Sequence, residues 1–345
     1  MKKAREPMNH MKKLVAVTAT LSAAALVLTG CSATSAEGAG EDRVSLNVGY
    51  IDTSVNGVGV IAVANELGLW EEAGIDVTLT PFTNGPTQIQ AMASGSLDIG
   101  YIGGGATWMP ASGQATIITP NESTFGDYLI ASPESGATSM SDLKGLSVGV
   151  PDGGSGEMIL SLALEEAGLT FDDIERVPLD PPSVVSAFVS GQIDVAAIFS
   201  PLSDQIFESV PDAVVLANNR DFPENEFVGA WVASNDAVAD KSEAVERFLE
   251  VWIQVNDYRI ANVEESVALA AAEAGAPVDQ LRGQADNLEW YPSEQILADN
   301  ESGLTYARFD ALVDLFVELG RLEEKADATT FVNIDLYNQA MAALR

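Results

Sequence analysis

Two glycine-rich turns are the segments of this sequence best suited to bind a small ligand. They are residues 103–107 (GGGAT) and 153–156 (GGSG), and each stands where a helix is predicted to begin. The free N–H groups and the dipole of a helix N-terminus attract anions. Neither turn contains Lys or Arg. An anion there would be bound by backbone amides and by the hydroxyl groups of Thr107 and Ser155, unless the glycines only permit tight turns.

The scarcity of His and Cys excludes the commonest catalytic and metal sites. The sequence contains one histidine, His10, and one cysteine, Cys31. His10 lies within residues 1–30, which have the pattern of a cleaved signal segment, and Cys31 follows them directly. The mature chain then has no His and no free Cys for Ser-His-Asp triads, Cys-His nucleophiles or metal sites built on imidazole or thiolate. A carboxylate-dependent enzyme stays as a distant alternative, because the 51 Asp and Glu residues offer many pairs and no spacing selects one. The residue types therefore restrict enzyme chemistry to carboxylates, Lys and Tyr.

The charge of the chain argues against nucleic acid as a partner. Its 345 residues include 17 Lys and Arg against 51 Asp and Glu, a formal net charge of −34. Binding to nucleic-acid phosphates needs a basic surface. With 47% hydrophobic and 20% charged residues the chain is typical of a globular protein. The acidity is interpreted as a soluble, self-repelling surface.

The N-terminal segment has the pattern of a secretory signal. Lys12 and Lys13 precede an apolar stretch that runs into LTGC at 28–31. This string resembles the lipobox of bacterial lipoproteins, in which the cysteine is lipidated and becomes the mature N-terminus. Residues 1–30 are therefore predicted to be a lipoprotein signal peptide, Cys31 the lipidation site and 31–43 a flexible tether. The apolar stretch is shorter than the roughly 20 residues of a spanning helix, and an ordinary signal peptide that ends near a Cys is the alternative.

An internal repeat predicts the architecture. Residues 46–105 and 146–201 show the same order of strands and helices, at an offset of about one hundred residues. Two strings recur, EEAG and Ser-Gly-x-x-Asp. The predicted strands are 46–50, 75–79, 97–102, 146–150, 174–179 and 193–198, and the predicted helices are 59–73, 85–94, 156–167, 182–190, 243–262 and 306–319. Such alternation predicts parallel sheets covered on both faces by helices.

The repeat also selects the loops where a ligand would lie. Open parallel sheets bind ligands beyond the carboxyl ends of their strands. The six loops at those ends are 52–57, 82–86, 103–107, 152–157, 180–183 and 199–203. None of them contains Lys or Arg. The site is therefore expected to hold negative charge with peptide dipoles and without a cationic side chain.

Five strings of the sequence are typical of one family: ANELGLWEEAGI at 64–75, ASGSLDIG at 93–100, DLKGLSVGVP at 142–151, GQID at 191–194 and FSP at 199–201. Through them, residues 44–345 resemble the solute-binding lipoproteins of bacterial ABC importers of the nitrate/sulfonate/taurine type. LDPP at 179–182, IAN at 260–262 and WYPS at 290–293 look closest to the taurine and alkanesulfonate branch. That branch commonly has hydroxyl residues where this chain has Gly104 and Gly105. It also has an acid just before the aromatic-Val pair, where this chain has GAW at 229–231.

The resemblance implies a two-lobed α/β fold of the periplasmic-binding-protein type II, with two crossover strands between the lobes. Chain order then assigns 44–128 and 228–345 to one lobe and 129–227 to the other. The implied role is that of a monomeric receptor that is not an enzyme and uses no cofactor or metal. It would be lipid-anchored on the extracytoplasmic face of the bacterial cell membrane. It would deliver its solute to a permease driven by an ATPase.

The solute implied by the resemblance is a small sulfonate such as taurine or an alkanesulfonate. A thiamine-precursor pyrimidine, nitrate or another small organic anion is the alternative. The candidate ligand-binding residues are Tyr50, Asp52, Asn56, Gly104, Gly105, Phe125, Asp127, Gly154, Ser155, Asp180, Ser200 and Trp231. Glycine amides and the Ser155 hydroxyl are expected at the anionic head, and one of the three Asp residues at any ammonium end. The three aromatic residues either enclose the organic part or belong to the core.

Overall fold

Two β-sheets form the centre of the computed structural model, which describes residues 43–345. The predicted signal peptide, His10, Cys31 and the tether up to residue 42 lie outside the described residues. In chain order the strands are β1 (Val44–Ile51), β2 (Ile75–Phe82), β3 (Ile99–Ile102), β4 (Thr116–Thr124), β5 (Asp127–Ala131), β6 (Ser147–Val150), β7 (Glu175–Pro178), β8 (Val195–Phe199), β9 (Val214–Asn218), β10 (Val228–Ala233) and β11 (Leu288–Trp290).

Helices cover both sheets. They are α1 (Val55–Glu66), α2 (Leu69–Glu72), α3 (Gly85–Ala93), α4 (Trp108–Ala111), α5 (Ser155–Glu166), α6 (Pro181–Val189), α7 (Leu202–Ser209), α8 (Asn235–Asp240), α9 (Ser242–Ala261), α10 (Val263–Ala274), α11 (Val278–Ala285), α12 (Ser293–Ser302), α13 (Leu304–Glu318) and α14 (Ile334–Ala343). No helix within residues 43–345 is long and apolar enough to cross a lipid bilayer.

The first sheet has the strand order β11-β4-β10-β3-β1-β2, and the second has the order β7-β6-β8-β5-β9. We call the first sheet with its helices lobe 1 and the second sheet with its helices lobe 2. Strand β1 is parallel to β2 and β3, and β6 is parallel to β7 and β8. Strands β10 and β5 are antiparallel to their neighbours. The expectation of purely parallel sheets was therefore wrong, because the strands on either side of each crossing between sheets run antiparallel.

The predicted repeat is present in three dimensions. The order β2-β1-β3 in lobe 1 matches the order β7-β6-β8 in lobe 2. Gly95 and Gly191 end the second helix of each copy with φ of 74° and 70°, a conformation that glycine adopts at little cost. Asp98 and Asp194, three residues later, each accept a hydrogen bond from the backbone N–H of a residue in β1 or β6, at 2.8 and 2.9 Å. The same strings therefore fold in the same way twice.

The helix predicted over 59–73 is two helices, α1 and α2. Helix α1 begins earlier than predicted, because the Ser54 side chain caps it by accepting a hydrogen bond from the backbone N–H of Asn56. Gly68, with φ of 69°, separates α1 from α2. Helix α2, which follows this glycine, is short and buries Leu69 and Trp70.

The chain crosses between the sheets twice, from β4 to β5 and from β9 to β10. The two crossing segments are hydrogen-bonded to each other. The backbone N–H of Thr124 donates to the carbonyl of Phe227 at 3.1 Å, and Asn218 Nδ2 donates to the carbonyl of Phe125 at 2.8 Å. Two adjacent connections of this kind permit hinge motion of one lobe against the other.

Candidate functional site

A cavity of about 440 Å³ lies between the two lobes, at the carboxyl ends of their parallel strands. All six loops selected from the sequence contribute residues to its lining. Two buried acids, Glu122 and Asp127, line it as well. No Lys, Arg or His is among the lining residues, all of which belong to the described part of the chain. Negative charge on a ligand would therefore meet only dipoles and carboxylates.

The structure brings only part of the candidate set together. The lining includes Asn56, Gly104, Asp127, Gly154, Ser155, Asp180 and Ser200. Outside it lie Tyr50, Asp52, Gly105, Phe125 and Trp231. Trp231 is fully buried in the core of lobe 1, with its ring 5.3 Å from that of Phe248. The Phe125 ring lies 4.6 Å from the Arg220 guanidinium.

Two of the remaining candidates are covered by other parts of the chain. Gly105 packs against the backbone of Gly154 and Ser155. Tyr50 is buried at the end of β1, where burial first, and then the charges of Glu273 and Asp52, raise the pKa of its hydroxyl. Asp52 follows β1 and is half-buried outside the lining.

Four helices begin at the cavity, and their N-termini differ in the N–H groups they offer. The first turn of α1 is capped by Ser54 and by Gln284 Oε1, and that of α3 is capped by Asn84. Helix α6 starts with two prolines, which have no N–H. The N-cap of α5 is Gly154, which has no side chain to accept a hydrogen bond. Of these four N-termini, α5 therefore offers the best site for an anion.

Glu122 is a site residue that the sequence analysis missed. Its carboxylate is fully buried; Tyr101 Oη donates to Oε1 at 2.5 Å, and Asn121 Nδ2 donates to Oε2. Arg259, also buried, donates to Asn121 Oδ1 at 2.7 Å. Burial raises the pKa of Glu122 to about 7, while the hydrogen bonds from Tyr101 and Asn121 and the charge of Arg259 offset part of the rise. The result is an acid that titrates near neutral pH.

Asp127 is the second buried acid that lines the cavity. The residue is 1% exposed, and its Oδ2 accepts a hydrogen bond from Asn219 Nδ2 at 3.0 Å. Its Oδ1 is buried and has no hydrogen-bond partner among residues 43–345. Burial raises the pKa of Asp127 to about 6, and the side chains of Ser155 and Asn219 offset part of this rise. A buried acceptor without a donor costs about 1–3 kcal/mol, which a ligand donor would recover.

The raised pKa of Glu122 makes the stability of the protein depend on pH. The unfolded chain loses this proton near pH 4.5, whereas the folded chain keeps it to about pH 7. The contribution of Glu122 to the free energy of unfolding is therefore fully present below pH 4.5 and is lost as the pH rises to about 7. We expect the loss to be on the order of 1–3 kcal/mol. Thermal unfolding between pH 4 and 8 measures it.

The matched variants for this prediction are Glu122→Gln and the exposed Glu301→Gln. Glu122→Gln should show a shallower decline of the melting temperature between pH 4.5 and 7 than the wild type. Glu301→Gln should show the wild-type decline. Equal slopes for all three proteins would mean that Glu122 does not titrate in this range.

Comparison with known proteins identifies the family. The family described as NMT1/THI5 like matches residues 56–266. The chain belongs to this family. A protein of Brucella abortus (strain 2308), whose name says only that it is a binding protein, is 42% identical over 86% of this chain and 92% of the relative. The taurine-binding periplasmic protein of Escherichia coli (strain K12) is 24% identical over 66% of this chain and 73% of that protein.

A solved structure shows the fold of this NMT1/THI5-like protein. The alkanesulfonate-binding protein SsuA from Xanthomonas axonopodis pv. citri, bound to MOPS, matches with a TM-score of 0.69 and 22% identity. The match covers 84% of this chain and 98% of that chain. The predicted fold class, a two-lobed α/β periplasmic-binding-protein fold, is thus confirmed.

Two glycines of this NMT1/THI5-like chain leave room for close contacts with neighbouring segments. Gly229 pairs with Glu122 on the neighbouring strand, and a Cβ at position 229 would lie 2.1 Å from Glu122 Oε1. Gly229 therefore leaves room for an acid supplied by β4. A Cβ at Gly105 would lie 2.1 Å from the backbone nitrogen of Ser155. Gly105 therefore lets the two lobes touch, where a hydroxyl residue would hold them apart.

Proposed function

We propose that this NMT1/THI5-like protein is the solute-binding component of an ABC importer and is not an enzyme. The observation that supports the proposal is the cavity, which six loops from two sheets enclose beside the paired crossing segments. Hinge motion at those segments would admit a solute when the lobes part and cover it when they meet. The names of the taurine-binding and alkanesulfonate-binding relatives fit the same role.

The proposed solute is a small sulfonate that also carries an amine, as taurine does. The sulfonate would bind the N–H groups at the start of α5, and the amine would donate to Asp127 Oδ1. A solute with an anionic group alone would face the Asp127 charge without any compensating cation. The cavity also equals about fifteen water molecules at roughly 30 Å³ each, so it has room for a solute larger than nitrate.

A thiamine-precursor pyrimidine is the second candidate, and the polar lining favours it. The cavity has side-chain amides and carboxylic acids around it and no positive charge. These groups are Asn56, Asn84, Gln90, Glu122, Asp127, Gln284 and Asn287. Amides and acids of this kind pair with the ring nitrogens and exocyclic amine of an aminopyrimidine.

Titration calorimetry with taurine, ethanesulfonate, nitrate and an aminopyrimidine separates the candidates. We expect taurine to bind about tenfold more tightly than ethanesulfonate, since only taurine supplies a donor to Asp127. If only the aminopyrimidine binds, the solute is a pyrimidine and not a sulfonate. Binding by none of the four, or turnover of a bound solute, would contradict the proposed function.

The cellular setting belongs to the same proposal. Cys31 would carry the lipid that anchors the protein to the extracytoplasmic face of the membrane, and residues 31–43 would form the tether. The protein would act as a monomer without a cofactor. It would present the loaded, closed form to a permease driven by an ATPase.

A further inference from the structure

A cluster of four charged residues joins the two lobes beside the cavity. Arg321 follows α13 in lobe 1, whereas Asp152, Glu157 and Arg176 belong to lobe 2. Arg321 Nη2 donates to Glu157 Oε2, and it donates to Asp152 Oδ1 at 3.0 Å. Arg176 Nη2 donates to Glu157 Oε1 at 2.6 Å and also to Asp152. We call these four residues the interlobe clasp; its two positive and two negative charges balance.

The clasp differs from a surface ion pair because one of its charges is nearly buried. The Glu157 side chain is only 8% exposed, so loss of a partner would leave a nearly buried charge. Burial opposes the ionisation of Asp152, but the guanidiniums of Arg321 and Arg176 hold its pKa below the usual value. Burial likewise opposes the charge of Arg321, yet Glu157 and Asp152 raise its pKa above the ordinary value. Asp152 and Arg321 therefore stay charged at neutral pH.

The clasp is connected to the turn that lines the cavity. Glu157 Oε2, which receives Arg321, also accepts a hydrogen bond from the backbone N–H of Gly153 at 2.7 Å. On the lobe 1 side, Trp108 Nε1 donates to the carbonyl of the same Gly153 at 3.2 Å. The Arg321 guanidinium lies 5.8 Å from the Trp108 ring. The next residues, Gly154 and Ser155, line the cavity.

We propose that Arg321 is a positioning residue of the solute site. It holds the 152–157 turn in place through Glu157 and Asp152, and it stabilises the closed form of the two lobes. Arg321 does not line the cavity, and Asp152 is the one clasp residue that does. Arg321 therefore acts on the arrangement of the lobes and needs no contact with a solute. We expect this clasp to hold the two lobes together without a solute as well.

Hydrogen–deuterium exchange of the ligand-free full chain tests the proposal. In Arg321→Gln we expect amides of 152–158 and of 105–111 to exchange about tenfold faster than in the wild type, because opening exposes both sides of the contact. Strand β6 and helix α9 should be unchanged. Because no solute is added, the outcome does not depend on whether the cavity binds a sulfonate.

Three comparisons separate positioning from a general structural role. Arg321→Lys keeps the charge and should recover part of the protection. Salt at 1 M shortens the Debye length to about 3 Å but screens the nearly buried Glu157 poorly, so it should speed exchange in the wild type less than Arg321→Gln does. Arg345→Gln, which removes an exposed ion pair with Glu294, should behave as the wild type. Wild-type exchange in Arg321→Gln, or faster exchange throughout the chain, would overturn the proposal.

Discussion

Replacing Gly105 by Ala is expected to weaken solute binding by about a hundredfold while the unbound protein stays folded. A Cβ at this position would lie 2.1 Å from the backbone nitrogen of Ser155 and 2.3 Å from the carbonyl carbon of Gly154. A backbone cannot rotate aside as a long side chain can, so the lobes must separate to admit the methyl group. The clash would oppose closure of the two lobes, because Gly105 belongs to lobe 1, whereas Gly154 and Ser155 belong to lobe 2. Titration calorimetry with taurine measures the affinity.

The matched control for Gly105→Ala is Gly283→Ala in helix α11, which lies outside the cavity lining. A Cβ at Gly283 would meet no atom within 4 Å. Gly283→Ala should therefore bind taurine as the wild type does. Thermal unfolding without solute should give similar melting temperatures for both variants and the wild type. Wild-type affinity in Gly105→Ala would show that binding does not require this contact between the lobes.

Replacing Asp127 by Asn is expected to weaken the binding of taurine by about tenfold to a hundredfold at pH 7.5. The substitution keeps the size of the side chain but removes the charge that a ligand ammonium group would meet. In the wild type, affinity should fall as the pH drops below about 6, because the Asp127 carboxylate then takes up a proton. Calorimetry between pH 5 and 8 measures both effects, and the variant should have lost this pH dependence.

Asp180→Asn is the control for the Asp127 variant. Asp180 also lines the cavity, and it precedes the two prolines of α6 without capping that helix. Its replacement should change the affinity for taurine much less, and the fall below pH 6 should persist. If Asp127→Asn binds taurine as tightly as the wild type at pH 7.5, the amine of taurine does not bind Asp127, and the proposed binding mode is wrong on that point.

Much of the fold could be predicted because its signals are local. The glycines at positions 95 and 191 end helices, and the following aspartates accept backbone hydrogen bonds, in both copies of the repeat. Helix α9 was predicted to within a residue at each end. The antiparallel strands were missed, because their direction is set by where the chain crosses to the other sheet. The point at which the chain crosses depends on contacts between segments that are far apart in the sequence.

The candidate site was harder to predict, since its decisive contacts are long-range. Glu122 is buried in β4 only because Gly229, on the neighbouring strand, leaves room for its carboxylate. The stretch TIITPNEST around it is mostly polar, so the sequence carries no signal that this acid is buried. Trp231 shows the opposite problem, because an aromatic residue of the core has the same sequence signature as one that encloses a ligand. The loops were predictable from strand order; the side chains within them were not.

A crystal structure of the protein grown with taurine tests most directly whether this cavity binds the solute. We expect sulfonate oxygens at hydrogen-bond distance from the first N–H groups of α5, and the amine about 3 Å from Asp127 Oδ1. No Lys or Arg should touch the solute. An unoccupied cavity at saturating taurine, or a solute bound by a cationic side chain, would contradict the proposed function.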